Sequence, residues 1–143
     1  MKIVLCHGTF DFLHWGHLKH FEEARRLGDI LIVTLTADLF VNKGPGRPIF
    51  REHQRAEMIR GLACVDHVEI IYEKSGAAAI RKYKPAFYVK GGDYTTTDKH
   101  GAMEMERELV RRYGGKLVLT KHHSGISSTD LIRKIHETYK DSF

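Results

Sequence analysis

The stretch that decides the fold is "KIVLCHGTFDFLHWGHLKHFEEARRL", residues 2–27. It opens on an apolar, β-branched run, "KIVLC", and closes on "HLKHFEEARRL", where Leu18, Phe21, Ala24 and Leu27 recur every three residues with charges on the other face. That is a strand feeding an amphipathic helix. The turn between them spends a glycine, an acid and two histidines on ten residues, "GTFDFLHWGH".

Four more apolar runs follow: "ILIVTLT" at 30–36, "HVEII" at 67–71, "AFYVK" at 86–90 and "KLVLT" at 116–120. They are near-continuous rather than alternating, the mark of strands covered on both faces. Helical segments separate them. "REHQRAEMIRGL" brings Met58, Ile59 and Leu62 together, "SGAAAIRKY" is short and alanine-rich, and "GAMEMERELVRRYGG" stops at Gly114. In "STDLIRKIHETY", Leu131, Ile132, Ile135 and Tyr139 share a face. Strands alternating with helices predict an α/β protein, a doubly wound five-stranded parallel sheet. Residues 1–143 form a single domain on this reading, a length that buries a sufficient core without disulfide or metal.

Composition narrows the partners. The formal charge is +5, which favours anionic ligands. The basic residues are dispersed and lack interleaved aromatics, so nucleic acid is not expected. No apolar run approaches the length of a membrane span, and a cytoplasmic location is expected. Cys6 and Cys64 lie in apolar contexts without a CxxC spacing and read as buried small hydrophobes.

In a doubly wound sheet, ligands bind at the carboxyl ends of strands near a switch point. Three polar loops should meet there. In the first, His14-Trp15-Gly16-His17 opens a helix. GxGxxG and GxxxxGK[ST] are both absent. Gly16 admits a phosphate to the backbone, the helix start supplies N–H donors, and two histidines three apart can donate to phosphate oxygens. A zinc pair would need two more ligands, and the nearest acid, Asp11, sits across a turn. In the second, Ser127, Ser128 and Thr129 precede the final helix. Ser127 and Asp130 have capping-box spacing, so the segment reads as a helix cap, a phosphate cradle, or both. In the third, "VKGGDY", Gly91 and Gly92 either make a tight turn or admit a base or ribose, with Asp93 orienting the loop. Between strands two and three, Lys43, Arg47 and Arg55 are cations in or beside a Gly/Pro loop, and Asp38 stands nearby.

"GTFDFLHWGH", followed by "ISST" at 126–129, resembles the two signatures of the HxGH nucleotidyltransferases, the superfamily of cytidylyltransferases and of the ADP-heptose synthase nucleotidyltransferase domain. The resemblance covers essentially the whole chain and implies a Rossmann-like nucleotidyltransferase fold. It implies transfer of a nucleoside monophosphate from an NTP to a phosphorylated sugar or alcohol, with release of pyrophosphate. His14 and His17 would bind the triphosphate and stabilise the transition state, and Lys43 would cover it. Gly8, Thr9, Phe10, Gly16, Gly91, Gly92, Asp93, Ile126, Ser127, Ser128 and Thr129 would hold the nucleotide. Arg55 would bind the acceptor phosphate, with Asp11 and Asp38 shaping that site. Mg²⁺ would be held mainly by the triphosphate, with no protein metal ligands named. "KGGDY", "GRPI", "HQRAEMI" and "VDHV" favour the ADP-heptose synthase pattern and ATP, while "HWGH" and "GISST" lean toward glycerol-3-phosphate cytidylyltransferase and CTP. The acceptor stays open among a heptose 1-phosphate, a polyol phosphate and FMN. The family implies a homodimer and, without the kinase half that accompanies some heptose domains, a stand-alone enzyme. A non-catalytic nucleotide-binding regulator is the alternative of another class.

Overall fold

The computed structural model describes residues 1–92, 101–121 and 127–142. Among these, five strands form one parallel sheet, β1 (Ile3–Gly8), β2 (Ile30–Thr36), β3 (His67–Ile71), β4 (Phe87–Lys90) and β5 (Lys116–Leu119), in the order β3-β2-β1-β4-β5. The helices are α1 (Trp15–Arg25), α2 (Glu52–Arg60), α3 (Ala77–Tyr83), α4 (Ala102–Arg112) and α5 (Ser128–Tyr139), and a 3₁₀ turn covers Asp38–Phe40. The expected α/β sheet is present with its strands in the expected places. β1 runs two residues further than its apolar run suggests, because His7 and Gly8 continue the register against Thr34 and Leu35 of β2.

Alternation along the strands sorts the core into two layers. Val4 and Cys6 of β1 pack with Phe21 and Ala24 of α1 and with Ala56 and Ile59 of α2. Leu5 faces the other way, with Ala79 and Ile80 of α3 and Val110 of α4. The sheet is thus wound on both faces. Cys6 is buried as expected, Cys64 is half-buried, and both are free thiols. β5 is less covered than its sequence suggests, since Leu119 is partly exposed at the sheet edge.

The strand order places the switch point between β1 and β4. β1 leads outward to β2 and β3, and the chain then returns to lay β4 on the opposite side of β1. Helices connected to these two strands lie on opposite faces, so their carboxyl ends diverge and leave a crevice. No helix among the described residues is long and apolar enough to cross a membrane.

Candidate active site

The crevice is a cavity of about 700 Å³ at the carboxyl ends of β1 and β4. His14, His17 and Lys43 all line it. So do the backbone-presenting residues Gly8, Thr9, Phe10 and Gly16, the pair Gly91 and Gly92, and Ser127, Ser128 and Thr129. Three loops far apart in sequence therefore meet, as anticipated. Asp93 and Ile126 lie outside the described residues.

The two histidines are built into the start of α1. His14 is its N-cap, and its Nδ1 accepts from the Gly16 N–H at 3.0 Å. His17 reciprocates, with Nδ1 accepting from the His14 N–H at 3.2 Å. The rings stack with centroids 3.9 Å apart. A nitrogen that accepts carries no proton, so in each ring the proton sits on Nε2. Burial lowers the pKa of His14, and burial with the nearby charges of His14, His20 and Lys43 lowers that of His17 to about 3. Both rings are neutral near pH 7 and keep one N–H donor each. The helix start adds its own positive end.

Phe10 shapes the wall. Its backbone is left-handed, at φ 53°, a conformation rare for a side chain of this size. Ring contacts with Phe21, at 5.0 Å, and with His17, at 5.6 Å, accompany it. Gly8 makes room, because a Cβ there would lie 2.9 Å from the Phe10 ring.

Asp11, Asp38 and Arg55, expected at the acceptor, lie behind this wall and do not line the cavity. Arg55 is wholly buried. Its guanidinium donates to the carbonyls of Phe50 (2.9 Å), Thr9 (2.8 Å) and Thr36 (2.8 Å) and to Asp38 Oδ1 (2.6 Å). A fork so committed has no face to offer a phosphate. The Asp11 carboxylate is equally spent. It accepts from the N–H groups of Ile49 (2.6 Å) and Phe50 (3.0 Å) and from Arg47 Nε (2.9 Å). Burial works to raise its pKa, and these donors overcome that and hold it below the usual carboxylate range. Arg47 also donates to the Asp11 carbonyl. Together the two acid–arginine pairs fasten the histidine loop to the 41–51 loop, and hence Lys43 over the crevice. Burial lowers the Lys43 pKa, and neighbouring Arg47 lowers it further.

At the far end of the chain, Ser127 caps α5 by accepting from the Asp130 N–H at 3.0 Å. Ser128 Oγ donates to the Phe12 carbonyl at 2.9 Å, tying the second helix start to the first loop. Two helix N-termini therefore face one cavity. No cluster of three or more His, Cys, Asp or Glu with metal-holding geometry occurs among the described residues.

Several lining residues escaped the sequence reading: His7, Thr36, Lys90 and Glu106. All four are buried. Glu106 had a signal. Met103, Glu106 and Val110 are the buried positions of α4, spaced i, i+3, i+7, which puts a carboxyl group on the core stripe.

A sequence profile described as cytidylyltransferase-like matches residues 5–134. The chain is 40% identical over 142 residues to Bifunctional protein HldE of Trichlorobacter lovleyi, and 37% identical over 140 residues to the protein of that name in Geobacter sulfurreducens. These matches cover 98% and 96% of this chain and 28% of each relative, so the chain spans little more than a quarter of their length. Among solved structures, a lipopolysaccharide core biosynthesis protein from Thermoplasma volcanium superposes with a TM-score of 0.67 at 25% identity, covering 85% of this chain and 96% of that one. Pantothenate synthetase from Thermus thermophilus shares the fold alone, at a TM-score of 0.62 and 16% identity over 99% of this chain and 65% of that one. With the family profile spanning nearly the whole chain and the paired histidines seated at the switch point, the chain belongs to the cytidylyltransferase-like family.

Proposed function

We propose that this chain transfers AMP, in preference to CMP, from a nucleoside triphosphate to the phosphate of a sugar or alcohol, with a heptose 1-phosphate the favoured acceptor. An acceptor phosphate oxygen attacks the α-phosphorus in line. The bond from that phosphorus to the β-bridging oxygen breaks, and pyrophosphate leaves with the electron pair. The acceptor is already a nucleophile, so no general base is needed. The single observation that carries the reading is the pair of neutral imidazoles, each holding its Nε2–H beside a helix N-terminus in the cavity. Such donors stabilise charge as it develops on the α-phosphate and leaving group. Lys43 and the α5 start serve the β- and γ-phosphates. The similarity to the HldE proteins and the "KGGDY" sequence support ATP and a sugar phosphate.

Mg²⁺ fits this site as a passenger of the triphosphate. Asp11, the acid of the histidine loop, has its oxygens spent on protein donors, and no cluster of three or more metal-holding side chains occurs among the described residues, so the phosphates and water would hold the ion. Its contribution when bound is to neutralise phosphate charge. A homodimer accords with the apolar face of α5, where Ile135 and Tyr139 remain exposed.

The test is pyrophosphate release with ATP or CTP, each offered a heptose 1-phosphate, glycerol 3-phosphate and FMN. Release with ATP and a sugar phosphate is expected. Release with CTP and glycerol 3-phosphate would replace AMP by CMP. Tight nucleotide binding without release for any acceptor would make the protein a regulator instead.

A further inference from the structure

The cavity has a second character away from the histidines. On the α3/α4 face of the sheet, its floor is polar and buried: His7, Thr36, Lys90 and Glu106 are each no more than 6% exposed, and Thr34 lies against His7 beneath it. These groups form one connected patch. Lys90 Nζ donates to the His7 carbonyl at 2.8 Å and sits 5.1 Å above the centre of the Tyr88 ring. Glu106 Oε1 accepts from the Gly76 N–H at 2.9 Å. Gly76 is pressed so closely that a Cβ would lie 2.4 Å from Tyr88 Oη and 3.2 Å from Glu106 Oε1.

Among the residues of this patch that line the cavity, two atoms are left over. His7 Nδ1 pairs with Thr34 Oγ1 at 2.9 Å, but His7 Nε2 has no hydrogen-bond partner among the described residues. Glu106 Oε2, the carboxyl oxygen not used on Gly76, has none either. Buried polar atoms left unpaired are costly, and folds retain them where a ligand completes them. Both residues line the cavity.

The chemistry of the two atoms selects the ligand. Glu106 Oε2 needs a donor and repels a phosphate, which offers only acceptors. His7 Nε2 is a donor or an acceptor according to which ring nitrogen carries the proton. A hydroxyl group satisfies both atoms in either case. We propose that the end of the crevice floored by His7 and Glu106 is the acceptor pocket, and that these two residues read hydroxyl groups of a polyhydroxylated acceptor. This rests on the transferase reading above. It gives the acceptor's hydroxyls to one end of the cavity and leaves the histidine end to the nucleotide's phosphates. Glu106 becomes a specificity residue, not a catalytic one, since it touches no reacting atom.

The experiment compares the whole protein with Glu106→Gln and His7→Phe. Glutamine keeps an oxygen for the Gly76 N–H and turns Oε2 from acceptor into donor, so a purely structural tether would survive it. With ATP, each variant is offered a heptose 1-phosphate, glycerol 3-phosphate, and n-propyl phosphate, which lacks hydroxyls. The wild type is expected to prefer the hydroxylated acceptors. Glu106→Gln is expected to lower kcat/KM for them by roughly 10- to 100-fold, leaving propyl phosphate and the KM for ATP unchanged. The thermal shift produced by heptose 1-phosphate should shrink in parallel. His7→Phe should act in the same direction, which guards against a folding artefact in either variant alone. An unchanged preference for hydroxyls in both variants overturns the proposal. So does a raised KM for ATP with acceptor kinetics intact. Turnover with propyl phosphate alone overturns the hydroxyl pocket and spares the transferase. A wild type neither turned over nor shifted by any of these phosphates overturns both.

Discussion

His17 uses its two ring nitrogens for different ends. Nδ1 holds the first turn of α1 together by accepting from His14, and Nε2 is left for the ligand. A substitution therefore strikes stability and turnover separately. His17→Ala is expected to lower kcat by at least about 100-fold, as for the loss of one preorganised donor, and to cost about 1 kcal/mol of stability through the lost cap. In His17→Asn the side-chain oxygen can replace Nδ1, so stability should largely return while turnover does not. Parallel urea titrations and steady-state kinetics check this, and recovery of both together would remove Nε2 from the chemistry. The same division explains what was legible in the sequence. A histidine pair at fixed spacing beside a glycine is visible because the chemistry dictates the spacing. Arg55 was read as an acceptor-phosphate ligand by resemblance, because nothing in "REHQRAEMIR" shows that its guanidinium is committed within the protein. Only the tertiary fold reveals that Thr9, Thr36 and Phe50 bring their carbonyls to it.

At the scale of elements, the site is a set of loops held by a few polar fastenings. Arg55 ties the Thr9 loop, the end of β2, the Asp38 turn and Phe50 into one unit. A lysine has one donor point where this cluster needs a planar fork. Arg55→Lys is expected to destabilise the fold by about 2–4 kcal/mol, since buried carbonyls and Asp38 lose partners. Denaturant midpoints measure it. An unchanged midpoint with a raised acceptor KM would return Arg55 to the substrate. The join between α5 and the first loop is lighter. Ser128→Ala removes the hydroxyl that donates to Phe12. It should raise the KM for the nucleotide several-fold with kcat nearly kept, because α5 positions donors and does not supply the reacting group. A fall in kcat at constant KM would contradict that assignment. The α5 cap was readable as Ser127 ahead of Asp130, whereas its bond to a loop more than a hundred residues earlier was not.

For the molecule as a whole, two histidines, the buried His7 and the half-buried His17, set the acid limb of its stability. Burial, then the charge of Lys90, lowers the His7 pKa to about 3, and His17 is lowered to about 3 as well. In the unfolded chain both titrate near 6.5. Above that pH neither state binds the extra protons, and the full stability is present. Below it the unfolded state takes them up and the folded state does not until near pH 3, so stability falls throughout that interval. Melting temperatures should drop from pH 6.5 to 5, before carboxylates contribute much, and His7→Phe should flatten the slope. A level profile across that range would show that the folded imidazoles are not held neutral. Neither histidine announces this in the sequence. His7 follows an apolar run and looks like the first residue of a loop, yet its pairing with Thr34 extends the strand and draws it inside.

The helix that completes the cavity buries none of its own described residues, and Ser128 ties it to the histidine loop by donating to the Phe12 carbonyl. A chain made from its N-terminus builds the paired histidines first and adds Ser127–Thr129 near the end of this segment. While the residues between them are being made, the phosphate cradle is half-formed. Nucleotide capture waits for α5 to emerge and fold back across the histidine loop.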